Sequence, residues 1–238
     1  MKKAILLSTL LILSTLLSAC STIVQGVAAV TSVATMSNDR RSAGTILDDK
    51  TLYLRISNIV EEDVMLDDAH INFMIYDGVV LMTGEAPSQD AKTRLATQLK
   101  AKALNMKQLV NEVAVMPSSS YLSRAKDNLI SIQVETLFQD QEVFHPTHIK
   151  VLTERKTVYL MGAVTKREAE NATNQAAKAK NVGKVVKLFS YLSKRPTNEI
   201  ERDNLKQAEA ASRAALEAKK AELAAAQAAL QEQIDALN

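Results

Sequence analysis

Few side chains in this sequence could carry out covalent or metal chemistry. The chain has 238 residues with one cysteine, Cys20, and three histidines, His70, His145 and His148. A thiol can be acylated, oxidised or bound to a metal, and an imidazole can bind a metal or carry a proton. With a single cysteine, no disulfide can form within the chain. The residues around Cys20 and the histidines decide which of these chemistries is available.

Cys20 closes a segment that has the pattern of a secretory signal. Two lysines begin it at positions 2 and 3, and residues 4–17 form an apolar stretch too short to span a bilayer as a mature helix. The next residues, Leu17-Ser18-Ala19-Cys20, match the lipobox, the pattern that directs acylation of its cysteine. We therefore expect residues 1–19 to be removed and Cys20 to carry lipid. Because each buried methylene contributes about 0.8 kcal/mol, several acyl chains would anchor the protein to a membrane.

The residues that follow Cys20 are mostly small and polar. Residues 20–45 have little capacity to bury a core, so we predict that they form the acylated cysteine and a tether. Position 21 is serine instead of aspartate. By the sorting rule of such signals, serine here favours the outer membrane. We expect a lipid-anchored protein that faces the periplasm.

The histidines and acidic residues do not form a recognisable metal motif. His145 and His148 lie close in sequence, but His70 and His148 occupy the same place in two copies of a repeat, which favours a structural role. The acidic group at positions 61–68 lacks the Asp-x-Asp-x-Asp-Gly order of a calcium loop. The sequence has no Walker loop, no Gly-x-Ser-x-Gly motif and no nucleophile spaced with a base. We expect no catalytic residue, no bound metal and no cofactor.

The repeat itself is the main organising feature of the chain. Residues 71–84 (INFMIYDGVVLMTG) align with residues 149–162 (IKVLTERKTVYLMG) after a shift of 78 positions. The first copy alternates apolar and polar residues before the turn Asp77-Gly78, which predicts a β-hairpin. The second copy keeps the strands but turns at Arg155-Lys156, a less favourable pair. Gly84 and Gly162 end the hairpins, where we expect them to provide either a positive φ or a close approach between elements.

The pattern around each hairpin predicts an α+β fold of two tandem αββαβ domains. Each domain is expected to be a three-stranded mixed sheet with two helices on one face. The domains span residues 46–116 and 121–195, joined by the linker 117–120 like two beads on a string. Residues 196–238 are rich in alanine and predict a C-terminal helix of about 60 Å.

Several element bounds follow from local patterns. The first helix is predicted at about 50–64 with Asp48 or Asp49 as its cap, and the third strand of the first domain at 109–116. In the second domain, Thr165 and Glu168 form a capping box that begins a helix predicted to end near residue 180.

The formal charge is unevenly distributed along the chain, although its total is only +2. Residues 46–116 carry a formal charge of −4, residues 117–195 carry +6 and residues 196–238 carry −3. Two domains of one fold and opposite charge are expected to meet different surfaces.

Together, the lipobox, the segment DRRSAGT at 39–45 and two αββαβ units with a glycine after each hairpin resemble the dual BON-domain outer-membrane lipoproteins. The resemblance covers about residues 17–195 and leaves the alanine-rich tail outside. It implies a protein that is not an enzyme, that binds anionic phospholipid through its second domain, that supports outer-membrane integrity and that gathers at the division site.

The residues of the second domain favour the same interpretation. If Ile130 and its helical neighbours face the sheet, Leu129 and Ile132 fall on the outer side of the helix near Arg124 and Lys126. Apolar residues beside cations suit an anionic lipid surface, where each cation contributes about 1 kcal/mol. The alternative is that Leu129 and Ile132 only flank the core.

A second function remains open at this point. The domains could bind envelope proteins as a scaffold or adaptor, and the tail could oligomerise or reach toward the cell wall. Leucines recur every seven residues in the tail, but the positions between them are weak for a coiled coil. Nucleic acid is not expected as a partner, because the secretory signal argues against it and aromatic residues are only 4% of the chain.

Overall fold

The structure is a computed structural model that describes residues 38–235. The predictions for the signal, for Cys20 and for residues 21–37 of the tether fall outside the described residues. The chain divides into two compact units, one up to Tyr191 and one from Leu192. The first unit contains both copies of the repeat.

The first copy forms a mixed sheet with two helices. Its elements are α1 (Ala43–Glu61), β1 (His70–Tyr76), β2 (Val79–Ala86), α2 (Gln89–Lys102), β3 (Gln108–Asn111) and β4 (Ala114–Val115). Strands β1 and β2 pair antiparallel, with Ile71 opposite Gly84, and β3 and β4 both pair parallel to β2. The parallel pairing follows from the crossover helix between β2 and β3.

The second copy repeats this architecture. Its elements are α3 (Tyr121–Gln139), β5 (Ile149–Glu154), β6 (Thr157–Thr165), α4 (Lys166–Ala176) and β7 (Lys184–Leu192), with sheet order β5-β6-β7. Ile149 lies opposite Gly162, the register that Ile71 and Gly84 show in the first copy. The predicted α+β fold of tandem αββαβ domains is therefore confirmed.

Three predicted element bounds differ from the structure. Helix α1 begins at Ala43 because Ser42 caps it and accepts a hydrogen bond from the Thr45 amide at 3.1 Å. The predicted strand 109–116 is interrupted, since Asn111 Oδ1 accepts from the Val113 amide at 3.2 Å and the Val113 side chain is buried in the core. Helix α4 has the predicted capping box but ends at Ala176, short of the predicted residue 180.

Each domain buries one face of its sheet under its own two helices. The first core contains buried aliphatic residues of α1, α2 and the hairpin, among them Leu52, Ile56, Val80, Leu95 and Leu99. The second core has the matching members Ile130, Val134, Phe138, Val158 and Leu160. The offset of 78 positions carries Leu52, Ile56 and Val80 onto Ile130, Val134 and Val158.

The other faces of the two sheets pack against each other. A third buried cluster combines residues of both hairpins: Met74, Tyr76, Leu81, Tyr159 and Met161. The expectation of two beads on a string is therefore wrong. Strand β2 contains a continuous apolar run, Val79-Val80-Leu81-Met82, which is typical of a strand that is covered on both faces.

A lysine reinforces the contact between the domains. Lys150 in β5 donates through Nζ to the carbonyl of Ile75 in β1 at 2.8 Å. Burial lowers the pKa of Lys150. The Lys150 side chain is half-buried, and its hydrogen bond to the neighbouring sheet contributes to the contact between the domains.

The end of the predicted tether is part of the folded unit. Arg40 donates to both carboxylate oxygens of Glu168, at 2.9 and 2.7 Å, and to the carbonyl of Ala163 at 2.6 Å. The Arg40 and Glu168 side chains are 3% and 2% exposed. Arg41 bonds to Asp39 and Asp49, and its guanidinium lies 4.5 Å from the centre of the Tyr76 ring. For residues 38–45 the prediction of a tether is wrong, because two arginines find buried partners that are distant in sequence.

The second unit contains a single long helix, α5 (Thr197–Asp235). Glycine and proline are absent from it, and alanine, the best helix former, dominates its sequence. Among the described residues, no helix combines the length and apolarity that a membrane crossing requires.

Candidate functional site

The outer face of helix α3 carries an exposed apolar stripe. Its members share one side of the helix because they are spaced alternately three and four residues apart: Leu122, Ala125, Leu129 and Ile132. Leu129 and Ile132 are 57% and 49% exposed, whereas Ile130 is buried in the core. The two predicted residues therefore lie on the solvent side of the helix and do not flank the core. Leu122 extends the stripe by one turn, and sequence reasoning missed it although the same spacing predicts it.

The two predicted cations lie on opposite flanks of this stripe. Lys126 is exposed. Arg124 is half-buried, because Nε donates to Ser119 Oγ at 3.3 Å and the guanidinium lies 5.2 Å from the centre of the Tyr121 ring. Arg124 thus packs against the linker, and Lys126 is the more available of the two charges.

Lys126 lines a cavity with two further cations. The cavity has a volume of about 500 Å³ and lies between α3, the β5–β6 turn and the loop before β7. Its lining residues are Ser123, Lys126, Asp127, Ile130, Arg155, Lys156 and Asn181. We call this cavity the cationic pocket. Three basic side chains and one carboxylate leave it with a surplus of positive charge.

Asp127 holds the turn that brings two of these cations to the pocket. Its buried carboxylate accepts hydrogen bonds from the backbone amides of Arg155, at 3.0 Å, and Lys156, at 2.9 Å. Both turn residues have positive φ, 47° for Arg155 and 59° for Lys156. A left-handed conformation costs a residue with a Cβ about 1 kcal/mol, and hairpin turns of this kind favour Asn-Gly or Asp-Gly. The sequence therefore keeps two cations in the turn at a conformational cost.

The first domain builds the same turn in the same way. Buried Asp49 accepts from the amides of Asp77 and Gly78, both at 2.8 Å. Asp77 and Gly78 also have positive φ, 50° and 73°. Asp49 and Asp127 are separated by the repeat offset of 78 positions. The scaffold of the pocket is thus common to both domains.

The charge of the pocket, in contrast, is reversed between the domains. The equivalent cavity of the first domain is lined by three acidic residues and one lysine, whereas the cationic pocket is lined by three basic residues and one aspartate. The residues at matching positions are Asp48 and Lys126, Asp77 and Arg155, and Gly78 and Lys156. A shared scaffold with exchanged charges contributes to the opposite net charges of the two domains, and it leaves the cationic pocket more positive than the equivalent cavity of the first domain.

Gly84 and Gly162 meet structural needs at the start of each domain's sheet. A Cβ on Gly84 would lie 1.9 Å from the His70 carbonyl oxygen, and one on Gly162 would lie 2.2 Å from that of His148. Gly84 also has a positive φ of 107°. The close approach applies to both glycines, and the positive φ applies to Gly84.

Two of the three histidines accept hydrogen bonds from backbone amides of a short turn. His145 caps the 3₁₀ turn Pro146–His148 by accepting through Nδ1 from the Thr147 amide at 3.3 Å. His148 Nδ1 accepts from the His145 amide, also at 3.3 Å. His70 is different, because it lies beside two buried glutamates of different domains.

The acidic group at positions 61–68 includes Asp63, which has a structural role. Asp63 accepts from the Met65 amide at 3.1 Å, from Arg94 Nε at 2.9 Å and from Gln98 Nε2 at 2.8 Å. Burial raises the pKa of Asp63, but the hydrogen bonds from Arg94 and Met65 outweigh it and the net pKa is lowered. Asp63 therefore ties the turn after α1 to helix α2.

Comparison with known proteins identifies the family of the chain. A family model for the BON domain matches residues 48–117 and 126–193. The outer membrane lipoprotein DolP of Haemophilus influenzae is 35% identical over 178 residues, which are 74% of this chain and 90% of that protein. The 21 kDa hemolysin of Actinobacillus pleuropneumoniae is 30% identical over 155 residues, 65% of this chain and 79% of that protein.

A solved structure of the C-terminal domain of CdsD, a structural protein of the type III secretion system of Chlamydia trachomatis, aligns over 60% of this chain and 67% of that chain. Its TM-score of 0.25 and identity of 10% are too low to support an inference. The two sequence relatives and the two BON matches, in contrast, cover most of the chain. They identify a lipid-anchored protein of the outer membrane that faces the periplasm. The chain belongs to the BON-domain family, among the DolP-like dual BON-domain lipoproteins.

Proposed function

We propose that the second BON domain docks on a membrane surface rich in anionic phospholipid. The observation that carries this proposal is the position of the apolar stripe of α3 directly beside the cationic pocket. Leu129 and Ile132 are exposed on the helix that also contributes Lys126 to the pocket. In this arrangement the stripe contacts the acyl boundary while Lys126 and Lys156 contact headgroup phosphates.

Both kinds of contact contribute a modest free energy to membrane binding. Each basic residue near an anionic leaflet contributes about 1 kcal/mol, and burying a leucine or isoleucine side chain contributes about 1.5–3 kcal/mol. These contributions are small beside a multiple acyl anchor. The anchor at Cys20 would therefore hold the protein on the membrane, and the docking would select where in that membrane it accumulates.

The biological role that we propose is non-enzymatic. Docking of this kind supports the integrity of the outer membrane and directs the protein to regions rich in anionic lipid, such as the division site. The charge reversal between the domains supports a division of labour, since the first domain offers no matching anion site at its own turn.

Vesicle co-sedimentation tests this proposal. The chain 21–238, made without signal and acyl anchor, is mixed with vesicles that contain or lack phosphatidylglycerol. We expect binding only with the anionic lipid, and at least tenfold weaker binding for the double variant Lys126→Glu, Lys156→Glu. The matched control is Lys100→Glu, Lys102→Glu, which reverses two exposed charges on α2 of the first domain. Equal binding to neutral vesicles, or equal loss in the control, would reject the assignment.

The tail favours a second candidate function, that of an envelope scaffold. Leu216 and Leu223 are seven residues apart on α5 and are 55% and 57% exposed. A long helix with exposed leucines on one side can pair with another helix. Light scattering of the unanchored chain, with and without residues 196–238, distinguishes self-association through the tail from a solitary helix.

A further inference from the structure

A histidine and two glutamates from both domains meet in the interior of the first unit. His70 begins β1, Glu85 lies in β2 and Glu154 ends β5. One donor atom of each residue lies within 4.8 Å of the other two. The His70, Glu85 and Glu154 side chains are 14%, 0% and 3% exposed. The cluster is buried, and it exists only because the two domains pack together.

The distances within the cluster approach those of a metal site. His70 Nδ1 lies 3.2 Å from Glu85 Oε2 and 4.0 Å from Glu154 Oε1. Ligands at 2.0–2.1 Å from a tetrahedral Zn²⁺ are about 3.3 Å from one another. The first pair already has this spacing, and the second would need to close by about 0.7 Å, which side-chain rotation can supply.

The charges in the cluster are incompletely balanced. Arg155 lies beside the two carboxylates, with Nη1 3.8 Å from Glu85 Oε1 and 3.5 Å from the carbonyl of Gly84, and Arg124 lines the adjoining cavity. Glu85 Oε1 is buried and accepts no hydrogen bond from any residue that the structure describes. A divalent cation would offset the remaining negative charge.

Neighbouring groups hold the ligands in place and leave a path to them. Asn72 Nδ2 lies 3.0 Å from Glu154 Oε2 and 3.3 Å from His70 Nε2, so one amide contacts both side chains. The Ser119 amide donates to Glu85 Oε2 at 3.2 Å. Hydrogen bonds to carboxylates of this kind orient metal ligands in proteins, whereas zinc binding through His70 Nδ1 requires Nε2 to carry the proton and the Asn72 amide to turn so that its oxygen accepts from it. A cavity of about 400 Å³, lined in part by His70, Asn72 and Glu154, connects the cluster to solvent.

We propose that His70, Glu85 and Glu154 bind one divalent first-row cation, for which Zn²⁺ is the best match. An imidazole and two carboxylates are ligands that Zn²⁺ accepts, with water in the fourth position. The bound ion joins the first domain to the second and strengthens their contact. Sequence patterns did not predict this site, because Glu154 lies in the other domain from His70 and Glu85.

Zinc binding by the full chain tests the proposal. The chain is solubilised in detergent without a polyhistidine tag, treated with a chelator and titrated with ZnCl₂ in a calorimeter, and bound zinc is counted by mass spectrometry of the element. We expect one zinc per chain and a rise in the thermal midpoint of the first unit. Glu154→Gln keeps the size of the side chain and should weaken binding at least about tenfold.

The matched control is Glu142→Gln, an exposed glutamate in the loop before the second sheet, which should bind zinc like the wild type. His70→Gln provides a second ligand variant, and circular dichroism without zinc establishes that each variant is folded. Failure of the wild type to bind zinc would overturn the proposal. So would wild-type affinity in both folded ligand variants, because the ion would then lie elsewhere.

Discussion

Asp127 accepts a hydrogen bond from the backbone amide of Lys156 at 2.9 Å. Through this bond helix α3 fixes the turn that lines one side of the cationic pocket. The same carboxylate accepts the Arg155 amide. Asp49 makes the equivalent pair of bonds in the first domain, where the turn carries no cation. One structural device therefore supports two surfaces of opposite charge.

Removing this carboxylate should cost stability. We expect Asp127→Ala to lower the free energy of unfolding by about 1–3 kcal/mol, because two turn amides lose their acceptor. Lipid binding should fall as well, since the turn loses its fixed position. Urea denaturation of the unanchored chain measures the first effect and vesicle co-sedimentation the second. An unchanged denaturation midpoint would show that the turn does not depend on Asp127.

Lys156→Gly should separate stability from binding. Glycine accepts a φ of 59° without the cost that lysine incurs, so we expect the variant to gain up to about 1 kcal/mol in stability while its binding to anionic vesicles weakens. Lys156→Asn is the companion variant, because asparagine also tolerates this conformation but carries no charge. A variant that loses stability would contradict the account of the strained turn.

The close approach at Gly162 predicts a large effect of a single methyl group. We expect Gly162→Ala to destabilise the second domain by about 3 kcal/mol or more, because its Cβ would lie 2.2 Å from the carbonyl oxygen of His148, just before the paired strand. Gly44→Ala is the control. In α1 the nearest atom to its Cβ would be Ser42 Oγ at 3.7 Å, and alanine should stabilise the helix by about 0.5–1 kcal/mol. Similar effects at both sites would disprove the steric explanation.

The ion pair between Arg40 and Glu168 predicts a pH dependence. Burial raises the pKa of Glu168, but the hydrogen bond and charge of Arg40 outweigh it and the folded-state pKa lies below the ordinary value of 4.5. The pair therefore contributes its full stability above the pKa of the unfolded state, and this contribution is lost as the pH falls through the lower folded-state pKa.

Arg40→Ala measures that contribution. At pH 7 we expect a loss of about 3–5 kcal/mol, because the variant removes the two charged hydrogen bonds of Arg40 from a buried carboxylate. Below the folded-state pKa the carboxylate is protonated in both proteins, and the difference between them should become smaller. Denaturation at pH 7 and at pH 3 provides the comparison. A difference that does not depend on pH would show that the pair acts through packing alone.

Much of the fold follows from local patterns in the sequence. Alternating apolar residues around two turns, with a capping box at Thr165, predict the hairpins and helices in their observed order. The spacing of Leu129 and Ile132 predicts their exposure. These features depend on residues a few positions apart, and periodicity and capping report such relationships directly.

The sequence by itself determined the repeat, the α+β fold of each domain, the charge difference and the apolar residues on the outer face of α3. Only the tertiary structure decided that the sheets pack back to back, that Arg40 pairs with Glu168, that Lys126 shares a pocket with Lys156, and that His70 meets Glu154. Each of these contacts joins residues distant in the chain. Local sequence patterns do not predict such contacts, because the contacts depend on which faces of the sheets and helices remain uncovered once each domain has folded.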